Sequence, residues 1–254
     1  MDGIGTAGGW ASPWPQAAEL ARAIPSEQWT LIGGLMVQLH AVHAGLPASR
    51  ATVDVDMVLH IETGKTTFDG AREQLEKLGY TLRLPMGDGP VHRFERADEQ
   101  VDVMVADHLA PKWQPKVRGV PVFAVPGGTS ALRKTVCFDL AIGDAAIRLS
   151  VPDVLGALVL KGAAYKADTR DPSRHLDDAA VLACAVDNPM DERKRMQGSD
   201  HGRVLVLAKQ LESNDHRSWS GIPVEHRSRG HRALQLIAGP STGSRVGTRR
   251  RLRS

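Results

Sequence analysis

Apolar and polar residues alternate through residues 50–57 of the stretch 50–59, RATVDVDMVL. Period two is the spacing of a β-strand, whose successive side chains point to opposite faces. The pattern predicts Ala51, Val53, Val55 and Met57 on a core face, and Arg50, Thr52, Asp54 and Asp56 on the other. Before this strand, residues 16–24 read as a short helix. Residues 29–32 form an apolar run that stops at Gly33-Gly34, and a helix follows to about residue 43. After it, Phe68, Ala71, Leu75 and Leu78 recur at helical spacing, with Gly79 as the stop. Residues 80–84, 91–95 and 101–105 read as strands, with PMGDGP turning the first into the second. Residues 120–125, 131–140 and 145–151 are further β-like runs. The pattern changes at Pro152: helices are predicted over 153–167, 174–186, 200–211 and 229–237.

The expected fold is therefore α/β (α+β), a mixed sheet flanked by helices and followed by a helical region. The expected organisation is a flexible N-terminus over 1–14, an α/β domain over 15–151, a helical domain over 152–238 and a disordered basic tail over 239–254.

Composition changes this picture only at the C-terminal end. Of 254 residues, 42% are hydrophobic and 24% charged, near the average for globular proteins. The net charge of +3 hides an asymmetry. Eight arginines and no acids follow from Arg227 onward, leaving 24 basic residues against 29 acidic ones before it, a net of −5. The tail, densest at RRRLR, either touches a polyanion such as RNA or is a solvated end. Cys137 and Cys184 lie far apart, outside any metal-ligand spacing, and are expected as buried free thiols in a cytoplasmic protein. No apolar run reaches membrane length, and the first residues carry neither a positive n-region nor a long apolar stretch. Neither a GxSxG turn nor a GxxxxGK[ST] loop occurs.

The candidate chemistry gathers around the alternating strand. Asp54 and Asp56 share one face and repel each other, and a hard divalent cation would offset that repulsion. An edge strand with a solvated polar face has the same pattern. Three companions favour a site: the glycine pair at a strand-to-helix turn, where free N–H groups and the helix dipole suit phosphate, Asp102 among valines in QVDVMV, and Lys161 in the apolar run LGALVLKGAAYK. Lys161 either snorkels outward or points into a cleft. His40 and His43, three apart on one helix, have no acidic or thiol companion and read as satisfied or exposed histidines. His92 and Arg93 are candidates for the acceptor side.

Gly33-Gly34, then Arg50-x-Thr52-x-Asp54-x-Asp56, then Val101-Asp102-Val103, then Lys161 followed by Arg170 and Asp178, resembles the nucleotidyltransferase (DNA polymerase β-like) superfamily over roughly residues 28–188. Within it the pattern is most similar to the AbiEii-type toxin family of bacterial toxin–antitoxin and phage-defence systems. The resemblance implies a nucleotidyltransferase-fold sheet, with Gly33 and Gly34 at the triphosphate. It implies a catalytic set of Asp54, Asp56, Asp102 and Lys161, the three aspartates holding two Mg²⁺ ions. Lys161 would also contact the phosphates, and Arg50, Thr52, Arg170 and Asp178 would complete the nucleotide site, though each of these four has a plain reading as scaffold or surface charge. The segment Arg174-His175-Leu176-Asp177-Asp178 resembles the family's second-helix motif. His175 stands where an acid is expected, so the match falls on Asp177 or Asp178, and Asp178 is favoured as an orienter of Lys161 or a nucleotide contact.

The activity so implied is Mg²⁺-dependent transfer of a nucleotide from an NTP to an acceptor, with the tRNA 3′ end favoured. The protein would be a toxin with a cognate antitoxin protein as partner, cytoplasmic and not membrane-bound. The alternatives are a small-molecule (aminoglycoside-type) nucleotidyltransferase, left open by the acidic body, and a non-catalytic nucleotide- or RNA-binding module.

Overall fold

The computed structural model describes residues 10–47 and 51–239. The first nine residues, Arg50 and the tail from residue 240 therefore lie outside the described residues. Helix α1 (Trp14–Ala23) leads to strand β1 (Trp29–Ile32), helix α2 (Gly33–His43) and strand β2 (Asp54–Leu59). Helix α3 (Phe68–Lys77) is capped by Thr67, whose hydroxyl accepts from the Gly70 N–H. Strands β3 (Thr81–Leu82), β4 (Arg93–Arg96) and β5 (Glu99–Ala106) follow, then the short β6 (Lys116–Val117), β7 (Val120–Pro121) and β8 (Ala124–Val125). A single helical turn, α4 (Gly128–Ala131), precedes the hairpin of β9 (Thr135–Ile142) and β10 (Ala145–Pro152). Helices α5 (Val154–Ala167), α6 (Ser173–Cys184), α7 (Pro189–Arg195), α8 (Asp200–Gln210) and α9 (Val224–Ala238) complete the chain.

The main sheet has the order β1-β2-β5-β4-β3, with β8 alongside β5. It is mixed: β2 and β8 run parallel to β5, while β1–β2, β4–β5 and β3–β4 are antiparallel. Helix α2 is apolar on nearly every side, as a buried helix must be, because it sits between the sheet and helices α5 and α6. Helix α5 is similarly enclosed. Asp153 caps it by accepting from the Gly156 N–H, and Gly162 lets α8 approach so closely that a Cβ there would lie 2.1 Å from the Arg203 carbonyl oxygen. No helix among the described residues is long and apolar enough to cross a membrane.

Several expectations are corrected. The strand read from residue 50 begins at Asp54, where pairing with β5 starts, so Val53 is 75% exposed rather than in the core. The β-like run from residue 131 starts instead at Thr135. The residues before it form α4, whose start is fixed by the Asp107 carboxylate accepting from the Gly127 and Thr129 N–H groups. The last predicted helix is longer than its pattern, and α7 was not predicted. Cys184 is buried, but Cys137 sits on the outward face of β9, where Phe138, Leu140 and Ile142 point inward.

Candidate active site

Register assembles the acidic residues. The parallel pairing of β2 with β5 sets Asp56 directly beside Asp102 and Asp54 beside Gln100. Period two keeps Asp54 on the face of Asp56. One carboxylate oxygen from each of Asp54, Asp56 and Asp102 lies within 4.8 Å of the others. Asp54 is oriented by the Thr52 hydroxyl, which donates to Oδ1 at 2.7 Å, and by the Gln100 amide at 3.5 Å from Oδ2. Asp102 is buried and gripped by Arg93, whose Nε and Nη2 donate to its two oxygens at 3.0 Å each. His92 Nε2 stands 4.0 Å from the same carboxylate.

The glycine pair is required by closeness. Antiparallel pairing places Ile32 beside Asp56, so Gly33 begins α2 against that carboxylate. Gly33 has φ +73°, and a Cβ there would lie 1.8 Å from Asp56 Oδ2. A Cβ on Gly34 would lie 2.7 Å from the Thr52 Cβ. The free amides of the first turn of α2 thus open beside the acidic group. Lys161 enters from α5: its Nζ is 3.3 Å from the Gly33 carbonyl oxygen and 2.7 Å from Asp178 Oδ2 on α6. Both side chains are buried, at 7% and 1% exposure.

The electrostatics follow from this crowding. Burial, and then the charges of Asp54 and Asp102, push the Asp56 carboxyl up to about 7; Lys161 and Arg174 oppose the rise. Arg174 is anchored at the start of α6 by the Asp168 carboxylate, 2.9 Å away. Asp168 also accepts from the backbone N–H groups of Arg170 and Asp171, which hold its carboxyl well below the usual range, helped by His175 and Arg174. Burial and the nearby Lys161 keep the His175 imidazole below its ordinary value.

Of the predicted site residues, the structure brings together Gly33, Gly34, Thr52, Asp54, Asp56, Asp102, Lys161 and Asp178. Asp178 is the carboxylate that meets Lys161; Asp177 instead accepts from the Ser218 hydroxyl. Arg170 is exposed in the α5–α6 loop. Arg50 lies outside the described residues. His40 is buried and bonded to the Pro152 carbonyl, with Phe138 against its ring and that of His43. The sequence reading assigned no role to Arg174 or Asp168. An RDPSR run after a predicted helix was the available signal, but nothing local shows that it faces Asp56.

The donor set fits a divalent cation: hard carboxylate oxygens converge, and the Asp56 carboxyl, raised first by burial and then by its two acidic neighbours, is one whose charge such an ion would offset. Comparison with solved structures agrees with this architecture. A nucleotidyltransferase-like protein from Paracoccidioides brasiliensis superposes with a TM-score of 0.51 at 16% identity, over 87% of this chain and 91% of that one. A protein from H. pylori described as a nucleotidyltransferase gives 0.40 at 14% identity, over 90% and 96%. The chain therefore has a nucleotidyltransferase-like fold, a likeness resting on the first of these. No protein-family model matches the chain, and no curated protein matches it significantly.

Proposed function

We propose that the protein is a Mg²⁺-dependent nucleotidyltransferase that moves a nucleotide from an NTP to an acceptor hydroxyl. The observation that carries this reading is the convergence of Asp54, Asp56 and Asp102 beside the glycine turn that opens α2. Asp54, Asp56 and Asp102 would hold two Mg²⁺ ions, which when bound would supply electrostatic stabilisation for an in-line displacement. The chain's own groups do the positioning. Gly33 and Gly34 leave room for a triphosphate against the α2 amides. Thr52 orients Asp54. Asp178 holds Lys161 beside the Gly33 carbonyl, and Arg174, whose charge reaches Asp56, would meet the phosphates.

The preferred acceptor is the 3′ end of tRNA. With that acceptor the protein acts as the cytoplasmic toxin of an AbiEii-type system, restrained by a cognate antitoxin protein. Incubation with labelled NTPs, Mg²⁺ and total RNA tests it: label should pass to an RNA of tRNA size and be lost in Asp54→Ala. Absence of transfer to any macromolecule overturns the RNA reading. Transfer to an added aminoglycoside would replace it with small-molecule modification, which the acidic body before Arg227 would suit.

A further inference from the structure

Among the described residues, Arg93 is the arginine or lysine that bonds directly to the acidic trio. Its place is set by register, since Arg93 is the direct partner of Asp102 across the antiparallel β4–β5 pair. The fork engages both oxygens of Asp102, the strongest geometry available to a guanidinium and a carboxylate. The other cations nearby are already matched, Lys161 by Asp178 and Arg174 by Asp168.

Resting on the nucleotidyltransferase reading, we propose that Arg93 stands in for a second cation in the substrate-free protein. The trio then accepts one divalent ion, held by Asp54 and Asp56, and a second enters only when Arg93 releases Asp102. Charge supports this count. Three carboxylates balanced by one guanidinium and one divalent ion leave no net charge. With Arg93 still on Asp102, a second ion would leave two positive charges in a half-buried site; with Arg93 released or removed it leaves one. A triphosphate supplies that offset, and Mg²⁺ is commonly held by one or two carboxylates plus substrate phosphates. Arg93 is also able to leave, because its side chain is 39% exposed.

The test is a count of Mn²⁺ ions on the full chain without nucleotide, by equilibrium dialysis with electron paramagnetic resonance. The wild type should bind one ion per chain. Arg93→Gln should bind two, with the spectrum broadened by coupling between neighbouring ions. Arg93→Lys, which keeps the charge and loses the fork, should bind the second ion several-fold more weakly than the glutamine variant. Arg93→Met repeats the test if glutamine prevents folding. Two ions on the wild type, or one on both Arg93→Gln and Arg93→Met, overturns the role of Arg93 and leaves the metal site standing. No Mn²⁺ on the wild type overturns the metal site itself, and this proposal with it.

Discussion

Replacing Asp56 with asparagine should stabilise the metal-free protein at pH 8. The Asp56 carboxyl is raised to about 7 from an ordinary 3.8 by burial and by its two acidic neighbours. A raised acid binds its proton more tightly in the folded protein than in the unfolded chain. Its contribution to stability is therefore greatest below about pH 4, falls as pH climbs to 7 and is level above. A gap of about three pH units corresponds to roughly 4 kcal/mol of strain at pH 8. Relaxation and water entry reduce this, so we expect about 2 kcal/mol, or a rise of about 4–8 °C in Tm for a chain of this size. Asparagine keeps the shape of the side chain, removes the charge and turns one acceptor oxygen into an amide donor. The assay is thermal unfolding of both proteins at pH 4 and pH 8, in EDTA and in Mg²⁺. The variant should melt higher at pH 8 in EDTA, the difference should close at pH 4, and Mg²⁺ should raise the wild type far more than the variant. The reasoning is refuted if Asp56→Asn melts below the wild type at pH 8, or if Mg²⁺ raises both equally.

Removing Lys161 alone as Lys161→Met should destabilise by about 3–5 kcal/mol in urea unfolding, because the buried Asp178 carboxylate then loses the ammonium 2.7 Å from it. The double variant Lys161→Met/Asp178→Leu should recover part of that loss. Gly33→Ala should abolish label transfer and cost about 1–3 kcal/mol of stability, since the new Cβ meets the Asp56 carboxylate at a positive φ. Gly162→Ala should lower the urea midpoint without changing the Mn²⁺ affinity of the folded protein, because its Cβ would strike the Arg203 backbone on the far side of α5.

What the sequence disclosed was what local spacing encodes. Period two alone placed Thr52, Asp54 and Asp56 on one face, and the isolated acid among valines located Asp102 on a strand. What it hid was register. That Asp102 would face Arg93 depends on how β4 pairs with β5, and the β4–β5 turn carries no signal that fixes it. Helix α4 depends on Asp107 reaching Gly127 and Thr129, some 20 residues away, so no window of periodicity contains its cause. Helix α7 has no buried residue and hence no apolar stripe to betray it. Val53 was misplaced because alternation continues past the point where a partner strand exists.

The change of pattern at Pro152 marks a change of secondary structure, yet one continuous hydrophobic core runs from Trp14 to Ala238. The reason lies in the site. A sheet can align carboxylates along one face, but it cannot set an ammonium opposite them without another layer. Helices α5 and α6 provide that layer against α2. The buried Lys161–Asp178 pair, the contact of Lys161 with the Gly33 carbonyl and the Arg174–Asp168 pair are all delivered from beyond residue 152. Wherever a boundary is drawn, the acidic half of the site comes from one side of it and most of the opposing positive charge from the other. Movement between α6 and the sheet would alter the charge balance at Asp56 directly, so packing between the two halves and the chemistry of the site are coupled.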